Sequence, residues 1–422
     1  MEPLTEVTIG AVMDRVVGGG TPSREVGSYW GGNISWATVK DLADDQFEIR
    51  STMETITPEG LAGSAANLIP SGTVVVCTRM AVGRSAITAR PMAINQDLKA
   101  LIPNGSIDPR FLLHQLKRSQ PHLDGLGIGS TVRGITVGQL TATKILLPSL
   151  SEQRAIAEIL DTADEAIRLT ERAIAKLEEV QKGLLHDLLT RGVDENGELR
   201  DPERNPEQFK DSPVGRIPVG WCCVRVGEAF DMQLGKMLHQ GARKGGRQFP
   251  YLANRHVQWG RIDLDGLESM AFSRAEQERF RLLPGDILIC EGGEVGRAAI
   301  WPYEDRQVYF QKALHRLRTS SGLVRPAFML GVMQFGARHG WFGDLTSSTS
   351  IAHLTQEKLA TFLVPCPPAA EQSLICEHLE EIERRVATEA LSLEKLRSLK
   401  TGLANDLLTG RVRVPIPEEA AA

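Results

Sequence analysis

Most of the signatures by which a sequence announces chemistry are missing from this chain of 422 residues. There is no G-x-x-x-x-G-K-S/T phosphate loop, no H-E-x-x-H metal helix and no G-x-S-x-G nucleophile turn. Nor is there an Asn/Asp-Pro-Pro-aromatic tetrapeptide of the sort an amino-group methyltransferase carries. Gly18-Gly19-Gly20 lacks the context of a dinucleotide site. A non-catalytic subunit, without a cofactor or metal of its own, is the expectation.

The six cysteines include no C-x-x-C pair, and Cys222 and Cys223 are adjacent, a poor geometry for a zinc site or a disulfide framework. No run of 18 apolar residues occurs, and MEPLTEVTIG has neither a basic n-region nor an apolar h-region. These absences lead one to expect a soluble protein of the reducing cytoplasm with no membrane partner.

Positive net charge is lacking too, at -5 overall, but the deficit is local. Residues 152–210 hold 15 acidic and 9 basic residues, a balance of -6, which leaves the remainder near neutral with basic stretches in it.

What is present is a long internal repeat. At a constant offset of 219, residues 152–193 lie over 371–412 without a gap, Gly183 on Gly402 and Asp187-Leu188-Leu189-Thr190 on Asp406-Leu407-Leu408-Thr409. Apolar residues step by four and three through Ile156, Leu160, Ala163, Ile167, Ile174, Leu177, Leu184 and Leu188. In the second copy they do so through Ile375, Leu379, Ile382, Val386, Leu393, Leu396, Leu403 and Leu407. Both copies read as long helices with a coiled-coil seam that pair antiparallel, and polar residues at Thr170/Glu389 and Gln181/Lys400 would fix register. Ser149 with Glu152 has capping-box spacing at the start of the first helix.

The segments between the helices are related as well. At offset 213, Gly72, Cys77, Val82-Gly83-Arg84 and Ile87 fall on Gly285, Cys290, Val295-Gly296-Arg297 and Ile300. The chain therefore reads as a tandem duplication of α+β character: two mixed α/β domains, residues 1–148 and 216–368, and two long helices, 149–191 and 369–410, related by a pseudo-two-fold axis. A polar, Pro- and Gly-rich connector fills 192–215 and a tail fills 411–422. Helices that pair with each other must stay alike, whereas domains with different targets can drift. Each domain could then approach one half of a two-fold object such as duplex DNA.

Candidate contacts follow from local charge. Residues 232–262 contain no acid and six basic residues, Lys236, Arg243, Lys244, Arg247, Arg255 and Arg261, interleaved with His239, His256, Phe249, Tyr251 and Trp259. This composition suits either a loop that follows phosphates and reaches base edges or a solvated basic surface. Residues 71–96 are likewise free of acid and carry Arg79, Arg84 and Arg90. Arg84 and Arg297 share a position in both domains, which favours fold maintenance or phosphate contact over base reading. Thr21, Ser23 and Arg24 occupy a permissive polar loop; Arg133 and His353 precede the helices; Trp30 and Trp36 read as packing residues.

Several of these residues together resemble the specificity subunit of type I restriction-modification systems. They are Gly19-Gly20-Thr21-Pro22-Ser23 with Tyr29-Trp30-Gly31-Gly32 and Trp36, and Gly215-Arg216-Ile217-Pro218 with Trp221. They also include the helix start from Pro148 to Gln153 and the helix ends at 183–189 and 402–408. The resemblance spans essentially the whole chain. It implies two target-recognition domains that each read half of a bipartite, asymmetric double-stranded DNA site, with the helices as spacer. It also implies two docked adenine-N6 methyltransferase subunits and, where restriction accompanies modification, restriction subunits; S-adenosylmethionine and ATP with Mg would belong to those partners. The expected DNA contacts are Thr21, Ser23, Arg24, Arg79, Arg84, Arg133, Lys236, Arg243, Lys244, Arg247, Arg255, His256, Arg297 and His353, and the expected partner contacts are Leu184, Leu188, Leu189, Leu403, Leu407 and Leu408. A coiled-coil scaffold that binds no DNA is the alternative.

Overall fold

A computed structural model describes residues 4–43, 46–128, 133–238, 247–342 and 354–415. The chain divides into two compact units, Met1–Arg172 with Leu391–Ala422, and Ala173–Ala390. Each of the long helices, Leu150–Thr190 and Ala369–Leu407, gives its first part to one unit and its last part to the other.

In the first unit the main sheet has five strands in the order Met13–Gly18, Leu98–Pro103, Val74–Cys77, Ser85–Thr88 and Glu48–Ile49. Val74–Cys77 is apolar throughout because both its faces are covered, and its period of two sorts the side chains. Val74 and Val76 meet Phe111, Leu112 and Leu116 of the helix Pro109–Gly125. Val75 and Cys77 meet Ala37, Ile69, Met92 and Ile94 of a second, four-stranded sheet. Each fully buried Val or Leu stabilises such a core by about 1.5–3 kcal/mol.

The second unit repeats the plan. Four strands run Phe230–Leu234, Leu314–Thr319, Ile287–Cys290 and Ala298–Ile300. Ile287 and Ile289 pack on Phe328 and Val332 of the helix Pro326–Arg338, while Leu288 and Cys290 face Trp301, Tyr309 and Phe310. The tandem mixed α/β organisation expected from the sequence is thus what the structure has.

Within the first unit Lys400 pairs with Asp164 and Arg397 Nη2 lies 2.7 Å from Glu171 Oε1, so the two helices run antiparallel there. Within the second, Val193 N donates to Glu371 Oε1 at 3.0 Å, and Leu185 and Leu379 flank Gly331. Lys400, one of the polar seam positions, sets register through its carboxylate partner.

The helix starts correct one expectation. Glu152 N donates to Ser149 Oγ at 3.4 Å, but the Glu152 carboxylate does not turn back to complete a box. It takes the Arg413 guanidinium at 2.7 and 2.6 Å and Val414 N at 3.2 Å, because a full charge nearby outcompetes a single amide. Its repeat equivalent Glu371 holds Arg200 at 2.5 and 3.2 Å. The neighbouring glutamines each clamp three backbone groups on two segments. Gln153 accepts from Asp108 N at 2.8 Å and donates to Ser106 O and Pro148 O at 3.0 and 2.9 Å. Gln372 accepts from Arg325 N at 2.8 Å and donates to Leu323 O and Pro367 O at 2.7 and 2.9 Å. The connecting segment is ordered as well, with a hairpin of Phe209–Ser212 and Gly215–Pro218.

Candidate nucleic-acid interface

In each unit three turns meet at one end of the main sheet, on the same backbone frame. In the first unit Gly20 N donates to Ile94 O at 3.1 Å and Thr78 N to Asp97 O at 2.8 Å. In the second, Lys236 N donates to Phe310 O at 3.1 Å and Glu291 N to Ala313 O at 2.9 Å. The frame requires glycine just before the first donor. A Cβ on Gly19 would stand 1.9 Å from Ile94 O, and one on Gly235 would stand 2.2 Å from Gln311 O. Turns 19–24, 78–84 and 95–97 thus correspond to the turn after Gly235, to 291–297 and to 311–313.

The side chains on these matched frames differ. In the first unit Thr21 Oγ1 donates to Gln96 Oε1 at 2.6 Å, and Trp36 Nε1 and Trp30 Nε1 hold Gly20 O and Ser23 O at 3.0 Å each. Ser23 Oγ accepts from Glu25 N at 3.3 Å, and Arg24 stacks 3.6 Å over the Trp30 ring while gripping Glu54 at 2.5 and 2.8 Å. The hydrogen bond from Arg24 holds the Glu54 carboxyl below its ordinary range. Arg79 is exposed, 4.0 Å from Asp97. Arg133 is exposed too and lies 3.6 Å from Asp124. Lys99, absent from the sequence-based candidates, donates to Gln96 O at 2.7 Å, and burial, then the Arg79 charge, push its ammonium below the usual lysine value. Arg79 and Lys99 are thus neighbouring cations that share the Asp97 carboxylate between them. In the second unit the corresponding tips carry Met237, Gly292, Gly293 and Lys312.

Other candidates fall elsewhere. Lys236 is only 11% exposed, its ammonium 2.7 Å from Glu276 and 5.0 Å from the Phe272 ring, so it braces the fold rather than facing a partner. His256 is 2% exposed with Nδ1 accepting from Ala253 N at 2.9 Å, and burial followed by the Arg255 charge lowers its pKa; it is a core histidine. Arg297 donates to Asn254 O at 3.0 Å and Arg84 to Leu42 O at 2.9 Å, equivalent struts that realise the fold-maintenance role. Arg255 is exposed and pairs with Glu268 at 2.9 Å; Arg247 is exposed, 5.1 Å from the Phe249 ring centroid. The acid-free stretch is therefore not free of acid in space. Arg243, Lys244 and His353 lie outside the described residues.

The helix-end leucines also require correction. Leu188 and Leu189 are buried with Trp221 and Phe328, and Leu407 and Leu408 with Phe111 and Ile156, while Leu184 and Leu403 pack against the same clusters. They hold the chain together and leave little surface for a partner. By contrast, Val180 and Leu399, one repeat apart, are 45% and 56% exposed.

Among the described residues no group of three or more His, Cys, Asp or Glu could hold a metal ion, and no helix is long and apolar enough to cross a membrane. Each unit thus presents a matched frame with different tips. The family model for the type I restriction modification DNA specificity domain matches residues 1–179 and 218–398, and the chain belongs to that family.

The chain is 30% identical over 224 residues to the type I restriction enzyme MjaIX specificity subunit of Methanocaldococcus jannaschii, a match covering 52% of this chain and half of that protein. It is 24% identical over 325 residues to the MjaVIII specificity subunit of the same organism, covering 74% of this chain and 72% of that protein. Among solved structures, the S subunit of a type I restriction-modification system from M. genitalium aligns with a TM-score of 0.58 at 17% identity, over 96% of both chains. A structure described as underlying complex assembly and conformational transition of the type I R-M system aligns at 0.61 with 17% identity, over 98% and 99% of the two chains. These likenesses establish the shared fold.

Proposed function

We propose that this chain is the sequence-reading subunit of a cytoplasmic type I restriction-modification complex, with each unit reading one half of a bipartite, asymmetric DNA site. The observation that carries this is the pair of matched three-turn frames with divergent side chains. A common frame gives each unit the same approach to a duplex, and different tips give it a different base preference. Arg79, Lys99 and Arg133 supply phosphate contacts in the first unit, and Arg247, Arg255 and Lys312 in the second.

Two adenine-N6 methyltransferase subunits dock on the repeated helices through the exposed equivalents Val180 and Leu399, and restriction subunits join where the complex cleaves. This chain performs no chemistry: S-adenosylmethionine, and ATP with Mg for restriction, belong to the partners. Residues 1–148 and 216–368 are the recognition domains, and 149–191 and 369–410 the spacer helices.

The test is sequencing for N6-methyladenine in cells expressing the partner methyltransferase with and without this chain. A split motif methylated only in its presence supports the reading, and exchange of residues 216–368 for those of another family member should alter one half alone. Methylation independent of the chain would favour the scaffold alternative.

A further inference from the structure

Two non-glycine residues among those described have a left-handed φ, Met80 at 67° and Ala313 at 92°. Both fall in the three-turn junctions, one in each unit. Met80 is the more informative. At offset 213 its counterpart is Gly293, with φ 75°, so the frame accepts glycine there and the first unit bears a strained side chain instead.

The fold gains nothing visible from that side chain. Met80 is 65% exposed and belongs to no hydrophobic cluster. Its turn is nevertheless rigid: Met80 N donates to Arg133 O at 2.9 Å, Gly83 N to Cys77 O at 2.9 Å and Cys77 N to Arg84 O at 2.8 Å. Arg79 precedes Met80 in the chain and Arg133 accepts from Met80 N through its carbonyl; both carry exposed guanidinium groups, near Asp97 and Asp124 respectively, with Lys99 close to Arg79. An apolar, polarisable tip on a hydrogen-bonded turn whose own residues and backbone partner carry exposed cations matches a partner whose anionic flanks border an apolar group. In a duplex that group is the thymine 5-methyl on the major-groove edge.

Resting on the DNA-reading function proposed above, we infer that Met80 is a specificity-determining residue that contacts a thymine methyl in the half-site read by the first unit, while Arg79 and Arg133 hold the adjoining phosphates.

The experiment uses the full chain assembled with its methyltransferase and duplexes carrying the methylated motif, with uracil replacing each thymine in turn. For the unsubstituted chain, one position in one half should lose about fourfold in affinity, the worth of one buried methyl group. In M80G, which relieves the strained conformation and so should fold, thymine and uracil should bind alike at that position, with every other preference kept. M80Q should likewise lose the preference. If uracil is tolerated at every position, or if M80G keeps the discrimination, the inference is overturned. Failure of the broader reading is distinguishable, because the unsubstituted chain would then select no motif at all.

Discussion

Truncation of the two clamp glutamines should loosen the two units independently. Gln153 and Gln372 are each 1% exposed, and each ties the residue that starts a packing helix, Asp108 or Arg325, to the entry of a long helix. In Gln153→Ala, Asp108 N loses its acceptor, and Ser106 O and Pro148 O lose a donor. Three such losses at a buried site, partly relieved by water, amount to about 2–4 kcal/mol. Expressed as hydrogen exchange in the regime where the local opening equilibrium sets the rate, this is a roughly 30- to 700-fold acceleration. Exchange followed by mass spectrometry should show it in Pro109–Gly125 for Gln153→Ala and in Pro326–Arg338 for Gln372→Ala. Protection changed by less than about threefold, or loosened equally in both helices by either substitution, would refute the clamp.

Three further outcomes are expected. Gly19→Ala and Gly235→Ala, which place a Cβ 1.9 and 2.2 Å from a carbonyl oxygen, should each cost about 1–3 kcal/mol and erase the base preference of one half of the methylated motif; a motif left intact by both would contradict the shared frame. The Glu152 carboxyl is held below its ordinary 4.5 chiefly by the Arg413 hydrogen bond, so its contribution to stability is complete above that value and is lost as the pH falls through the depressed one. Arg413→Met should flatten that part of the acid limb in urea titrations, and an unchanged limb would count against the pairing. Val180→Asp and Leu399→Asp should each remove one of two methyltransferase copies, read as complex mass, with DNA binding kept; loss of both copies from either single substitution would argue for another docking surface.

The repeat and the helices were legible in the sequence because periodicity is a one-dimensional property: Ile156, Leu160 and Ile375 declare an apolar face by spacing alone. What covers that face is not one-dimensional. The pattern that placed Leu188 and Leu407 on a seam could not show that Phe328 and Phe111 already cover them. Charge misled for the same reason. Lys236 finds its carboxylate 40 residues along the chain and Arg255 finds one 13 residues along, so two cations of an acid-free stretch of sequence meet acids that the sequence places far away. Lys99 and Gln96 were missed because their significance lies in the junction where the turn 95–97 and the strand after it meet the turn that holds Arg79, although the match of Gly19 to Gly235, at offset 216, contained the signal.

That match also explains how one backbone frame can carry two different sets of side chains. The frame is carried by backbone hydrogen bonds and by glycines that tolerate no Cβ, so neither depends on what the tips carry. Substitution at Thr21, Met80, Gln96, Met237 or Lys312 therefore leaves the core untouched. Substitution at the helix seam does not, since Leu188 packs within the second unit while its repeat equivalent Leu407 packs within the first. Divergence is constrained where a side chain meets the chain itself, which is why the helices align without a gap while the domains align at separate positions such as Gly72, Cys77, Val82-Gly83-Arg84 and Ile87.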